Sequence, residues 1–107
     1  MWGHAAANAR MYLRLRIRQV HVEHPGTSNA HITQVRTSTN TYGSLTIESR
    51  DQIVRKIDGR LDAYRSDNDR TGDEARVETR PSGFGTRYIA TVADGRETNN
   101  LLNLPRF

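Results

Sequence analysis

The sequence predicts an α+β domain: a single helix packed on one face of a mainly antiparallel sheet, in the order β-β-α-β-β-β. Three observations lead there. Short segments of apolar–polar alternation recur along the chain. One stretch carries apolar residues at helical spacing behind a capping sequence. Turn-forming residues separate these segments at short intervals.

The first alternating segment opens at Tyr12. Leu13, Leu15 and Ile17 fall on one side and Arg14, Arg16 and Arg18 on the other, the pattern of a half-buried strand with its arginines toward solvent. Val20 and Val22 sit in the opposite phase, so a bulge near Gln19 is required to return them to the same face. His24-Pro25-Gly26-Thr27-Ser28-Asn29 reads as a turn, and a second strand from about His31 to Ser38 completes an antiparallel pair. Thr37 to Ser44 is polar and reads as a loop. The helix is expected over Arg50 to Asp58, with Ser49 and Gln52 placed as a capping box and Ile53, Val54 and Ile57 as its apolar stripe. Arg55 and Lys56 suit its last turn, and Gly59 can take a left-handed stop. Three more strands follow: Leu61 to Arg65, Arg76 to Arg80 and Arg87 to Ala93. Asp67 to Glu74 is an acidic loop or wide hairpin, Pro81 to Gly85 a turn, and Asp94-Gly95 a two-residue hairpin signal. Leu101, Leu102 and Leu104 are expected to pack across the sheet, because three exposed leucines would each forfeit about 1.5–3 kcal/mol.

A chain of 107 residues fits one domain, read here as 12–107 behind a short tail, 1–11. No apolar run approaches the length of a membrane span, and the arginine-rich start is not a secretory leader. Absence of cysteine excludes disulfides and thiolate chemistry, and there is no glycosylation sequon, so a cytoplasmic location is expected. The formal charge of +4 lies wholly in the first half: five arginines face Glu23 alone before Glu48, whereas from Glu48 onward ten arginines and Lys56 meet eleven carboxylates. Such a basic half attracts anionic partners. The plain alternative is that arginine is simply the usual cation of this chain.

The close of the chain is its most specific text. Tyr88-Ile89-Ala90-Thr91-Val92-Ala93-Asp94-Gly95 is followed by Asn99-Asn100-Leu101-Leu102-Asn103-Leu104-Pro105. With Ile17-Arg18-Gln19-Val20, His31-Ile32-Thr33-Gln34-Val35 and the helix end Ile57-Asp58-Gly59, this resembles a family of short bacterial and archaeal proteins known as domain of unknown function 3892. The resemblance spans about Ile17 to Pro105. It implies the domain boundary and a signature of Thr91, Asp94, Gly95, Asn99, Asn100, Leu101, Leu102, Leu104 and Pro105. It implies no activity, cofactor or catalytic residue.

Candidate sites are few. Arg14, Arg16, Arg18 and Arg36 form a candidate anion-binding face on the N-terminal hairpin, able to lie along a nucleic-acid backbone without reading its sequence. Tyr12, Tyr42 and Tyr88, with Phe84, are candidate stacking surfaces for unpaired bases. The competing reading is an edge strand whose charges discourage aggregation. His21, His24 and His31 would hold a transition metal only if they converged, and His21 and His24 point to opposite faces of a strand, so no metal site and no cofactor is expected. Gly83-Phe84-Gly85 lacks the helix and lysine of a phosphate loop and reads as a turn. No nucleophile elbow, zinc-protease motif or activated thiol occurs, and Lys56 is the one lysine, placed on a helix surface. The expectation is a non-enzymatic binding module for an anionic partner, nucleic acid or nucleotide. The alternative is a protein-interaction or oligomerising adaptor using an exposed sheet edge.

Overall fold

The alternation from Leu13 forms a ten-residue strand, β1 (Leu13–Val22). It lies near the middle of the sheet in the computed structural model, which describes residues 13–40 and 42–107. The expected tail and Tyr12 lie outside the described residues, as do the side chains of Leu13 and Arg14. The required bulge is present: Ile17 pairs with Thr37 and Gln19 with Arg36, leaving Arg18 as the extra residue. That one insertion lets Ile17 and Val20 both be fully buried.

Strand β2 (Ile32–Ser38) returns antiparallel to β1, and β3 (Thr46–Ser49) pairs antiparallel with β2. The chain then enters helix α1 (Arg50–Asp58) directly. Its start is the expected capping box: the Gln52 amide donates to Ser49 Oγ at 3.1 Å and the Ser49 amide to Gln52 Oε1 at 2.8 Å. Ile53 is fully buried, while Val54 and Ile57 are half-buried against the same core. The helix end differs from expectation. Gly59 is right-handed (φ −80°) and Arg60 takes the left-handed position (φ 57°). The amides of Arg60 and Leu61 donate to the carbonyls of Ile57 and Lys56, a Schellman ending. Gly59 is needed for space instead, since a Cβ there would meet the Arg55 carbonyl at 2.9 Å.

Strands β4 (Asp62–Asp67), β5 (Glu74–Pro81), β6 (Arg87–Ala93) and β7 (Arg96–Thr98) complete one seven-stranded sheet of order β3-β2-β1-β4-β5-β6-β7. The α+β class and the single helix stand. The expected order β-β-α-β-β-β is corrected to three strands, helix, four strands, with one parallel pair, β1–β4. Both added strands are short. In β3 the usual pattern is inverted, with Ile47 outward and Glu48 buried, so hydropathy gives no strand signal. In β7 three residues return from the Asp94-Gly95 turn, whose positive φ values (54° and 76°) fit a primed hairpin turn.

The core lies between α1 and one face of the sheet: Ile17, Val20, Ile32, Val35, Ile53, Tyr64, Val77, Ile89, Leu101 and Leu104. The C-terminal segment closes it. After a turn in which the Asn103 amide donates to the Asn99 carbonyl, residues 105–107 run beside β1. There the Val20 amide donates to the Pro105 carbonyl at 3.0 Å and the Phe107 amide to the Val20 carbonyl at 3.1 Å. This segment takes over the flank of β1 beyond Ile17–Ser66, the last β1–β4 pair.

Candidate functional site

Because β4 runs parallel to β1, its end and the acidic loop after it arrive beside the arginines of β1. Arg16 contacts Glu74 at 2.8 Å and Asp67 at 3.4 Å, and Arg18 contacts Asp69 at 2.8 Å and Asp67 at 4.0 Å. Arg65 adds a second cation to Glu74 at 3.4 Å. The hydrogen bond from Arg16 leads the causes that hold the Glu74 carboxyl below its ordinary range. The expected solvent-facing stripe is therefore corrected: the Arg18 side chain is only 11% exposed. Alternation in β1 fixed the face of these residues but carried no information about the strand that would pair beside them. Arg36 donates to Gln19 Oε1 at 3.0 Å and lies 4.2 Å over the Phe107 ring.

The candidate stacking residues are not gathered. Tyr42, in the β2–β3 loop, is 92% exposed, and Phe84, in the β5–β6 turn, 91%. Tyr88 on β6 donates to Glu97 at 2.5 Å, a bond that raises its pKa. The C-terminal signature is a structural clamp. Buried Thr91 bonds the hydroxyl and carbonyl of Thr98, Thr98 donates to Asn100, and Leu101 and Leu104 enter the core. Leu102 is half-buried, and the Pro105 carbonyl is the acceptor for Val20.

The histidines do not converge. His21 meets the Phe107 carbonyl at 2.5 Å, and His31 Nδ1 accepts the Thr27 and Ser28 amides at 3.1 Å each. Among the described residues no three His, Asp or Glu side chains stand close enough to hold a metal.

A polar cluster that the sequence did not announce sits under α1. Glu48 is 7% exposed, with Lys56 Nζ at 2.6 Å and Tyr64 Oη at 3.2 Å from Oε1, and Thr37 Oγ1 at 2.7 Å from Oε2. Lys56 is thus tied to a carboxylate eight residues back rather than standing free on the helix. Burial first, then the charges of Glu48 and Asp62, push the Tyr64 phenol well above its ordinary 10.0. Glu48, Lys56 and Thr37 of the cluster form one wall of a cleft of about 350 Å³ beside Leu15, Ser38, Thr39, Thr46, Ile47 and Gln52. The only sequence signal was the inverted alternation of Ile47 and Glu48.

Tyr64 itself lines a second cleft, of about 370 Å³. It opens where the sheet divides: β5 pairs with β4 through Glu74 to Arg76 and with β6 through Val77 to Pro81. Asp62 to Tyr64 consequently lack a strand neighbour on that side among the described residues. Ile57, Ala63 and Val77 share the lining with Arg60, Asp62 and Arg76.

A family model described as "Protein of unknown function (DUF3892)" matches residues 16–105, most of the chain. The chain belongs to this family. No curated protein and no solved structure matches it. The DUF3892 region contains the second cleft whole and all of the first except Leu15, together with the C-terminal clamp. None of the described helices is long and apolar enough to cross a membrane.

Proposed function

We propose that this protein is a small non-enzymatic binding module that associates with a second copy of itself through the free edge of β3. The observation that carries this reading is β3 itself. It ends the sheet, and among the described residues no strand pairs with its outer side. Leu45 and Ile47 are 43% and 55% exposed there, and the one ionised side chain of the strand, Glu48, turns inward to Lys56. An uncharged edge meets no like-charge barrier when the same strand from a second copy lies antiparallel to it, and such a contact is self-complementary about a two-fold axis. With four residues on each side the interface is small, which makes the association weak and reversible.

The absence of catalysis in this reading is supported by the pairing of Lys56 with Glu48, which leaves no free amine in the first cleft. The alternative, nucleic acid along the hairpin arginines, draws on the net charge of +4 and on Arg36, which pairs with no carboxylate among the described residues. It requires a phosphate backbone to displace Asp67, Asp69 and Glu74 from Arg16 and Arg18, whose contacts to them are already made.

Sedimentation velocity over a concentration series up to about 1 mM, the range for weak association, tests the proposal. The wild type should shift toward dimer with concentration, and Ile47→Lys should remain monomeric and folded. A monomeric wild type at the top concentration, or unchanged association of Ile47→Lys, sinks it. Association that disappears on adding salt while a mixed RNA and DNA sample binds at low salt would favour the hairpin arginines.

A further inference from the structure

We propose that the end of the sheet at which β1 begins docks on the surface of an anionic lipid bilayer, through three loops that meet there. Leu61 and Phe84, which lead the contact with Tyr42, lie away from the β3 edge, so this surface does not depend on association through that strand.

Strand direction decides which loops share this end. Leu13, where β1 begins, is level with Asp62, where β4 begins, and Arg16 is level with Ser38, where β2 ends. The β2–β3 loop (39–45) and the α1–β4 connection (59–61) therefore flank the start of β1. The β5–β6 turn (82–86) joins them. Asp58, the last residue of α1, accepts from Thr79 Oγ1 at 2.6 Å and pairs with Arg87 at 3.1 Å, which fastens both arms of that turn to the helix end.

Five large apolar side chains are exposed among the described residues, and four of them lie in these three loops: Tyr42 at 92%, Leu45 at 43%, Leu61 at 54% and Phe84 at 91%. One exposed apolar side chain is ordinary, whereas a collection at one end of a molecule marks a contact surface. The charges follow the same division. The three loops contain no carboxylate, and their one charged residue is Arg60. Glu23, Asp69 and Asp73 stand in loops of the opposite end, so a protein of net charge +4 turns these acids away from an anionic surface.

The spacing favours a broad partner. The β2–β3 loop and the β5–β6 turn are four places apart in the strand order, about 20 Å along the sheet at about 4.8 Å per strand. That separation is too wide for one small ligand and suits a surface that meets several tips at once. Aromatic rings and leucines enter the headgroup region of a bilayer favourably, and a cation beside them adds attraction to anionic headgroups. Both aromatic tips are held in place: the Tyr42 amide donates to Asn40 Oδ1 at 3.1 Å and the Phe84 amide to Ser82 Oγ at 3.1 Å. Gly83 and Gly85, at φ 88° and 81°, take the left-handed turns that leave Phe84 at the tip. Tips already ordered lose little freedom on docking.

The test is co-sedimentation of the full chain with vesicles of phosphatidylcholine alone and of phosphatidylcholine with about one-third phosphatidylserine, at low and at high salt. The protein should bind the anionic vesicles at low salt, release them as salt rises, and leave the neutral ones unbound. Phe84→Ser should weaken binding about tenfold and Tyr42→Ser several-fold, the scale of one large apolar side chain left in water. Neither should change the melting temperature, because both side chains are already exposed in the fold. Arg60→Gln should weaken binding about fivefold, through one cation lost at the anionic surface. Arg70→Gln, in the β4–β5 loop, removes the same charge at the opposite end and should leave binding unchanged. Absence of binding to the anionic vesicles at low salt overturns the proposal, as does equal binding to both kinds of vesicle. A Tyr42→Ser, Phe84→Ser double variant that binds as the wild type does also overturns it. So does an Arg70→Gln loss equal to that of Arg60→Gln, which would make net charge alone responsible.

Discussion

On the outer face of the sheet, Arg16, Arg18 and Arg65 meet Asp67, Asp69 and Glu74; on the inner face, Glu48 meets Lys56 under the helix. The chemistry is the same and the construction is different. In the outer group Arg16, Arg18, Asp67 and Glu74 each contact two opposite charges, so no single deletion strands any of these four. The inner group has one cation for one carboxylate, and that carboxylate's side chain is 9% exposed. Redundancy protects the first group and neutral donors, Thr37 and Tyr64, protect the second. The difference teaches where a charge pair is tolerant and where it is brittle.

The largest effect is expected from breaking the brittle pair on one side only. Lys56→Met should destabilise the fold by about 3 kcal/mol, because it leaves a buried carboxylate without its cation. The double change Glu48→Met with Lys56→Met should recover most of that loss, since a buried pair replaced by apolar groups is often close to neutral. Urea unfolding of the two variants checks both numbers. A Lys56→Met variant as stable as wild type would show that Thr37 and Tyr64 alone satisfy Glu48 and that the two groups are equally tolerant.

A smaller effect is expected at Tyr64, whose hydroxyl is one of the neutral donors. Tyr64→Phe should cost about 1–2 kcal/mol through a lost hydrogen bond to a charged acceptor. It should also change the alkaline limb. The folded phenol keeps its proton above the ordinary 10.0, so beyond that pH the unfolded chain releases a proton the folded one retains. The stabilisation is complete below pH 10 and declines as pH rises through the folded value. Chemical denaturation between pH 9 and about 11, the range of tyrosine ionisation, should show a steeper loss for wild type than for Tyr64→Phe. Parallel curves would mean that neither burial nor the charges of Glu48 and Asp62 hold the phenol protonated in the fold.

Legibility in the sequence followed the same division. Local signals were enough for the helix Arg50–Asp58, its capping box, the bulge beside Gln19 and the Asp94-Gly95 turn, because each depends on neighbours along the chain. The burial of Leu101 and Leu104 was also readable, from apolar weight alone. The parallel pairing of β1 with β4 was not, since nothing in either segment names its partner, and the ion pairs of Arg16 and Arg18 depend on that pairing. The inner cluster was hidden more deeply. Glu48 sits where a strand pattern calls for an apolar residue, and Thr37, Lys56 and Tyr64 reach it from three other elements. The second cleft was equally silent, because it exists only where β5 changes its neighbour from β4 to β6.

The smallest expected effect lies in the redundant outer group. Arg16→Gln removes two contacts yet leaves Asp67 with Arg18 and Glu74 with Arg65. Arg16 is 29% exposed and Glu74 39%, so solvent screens the pair, and the cost should stay below about 1 kcal/mol and shrink further in salt. Its signature is in the acid limb. The Glu74 carboxyl titrates below its ordinary 4.5, chiefly through the Arg16 hydrogen bond. A depressed carboxyl stabilises the fold above the unfolded value, and that share is lost as pH falls through the folded one. The stability difference between wild type and Arg16→Gln should therefore be constant near neutrality and narrow on going below 4.5. Urea midpoints at a series of pH values from neutrality downward measure this difference directly. If the gap persists unchanged at the acid end, Arg16 acts through Asp67 or through packing of its stem, and Glu74 is a bystander in the network.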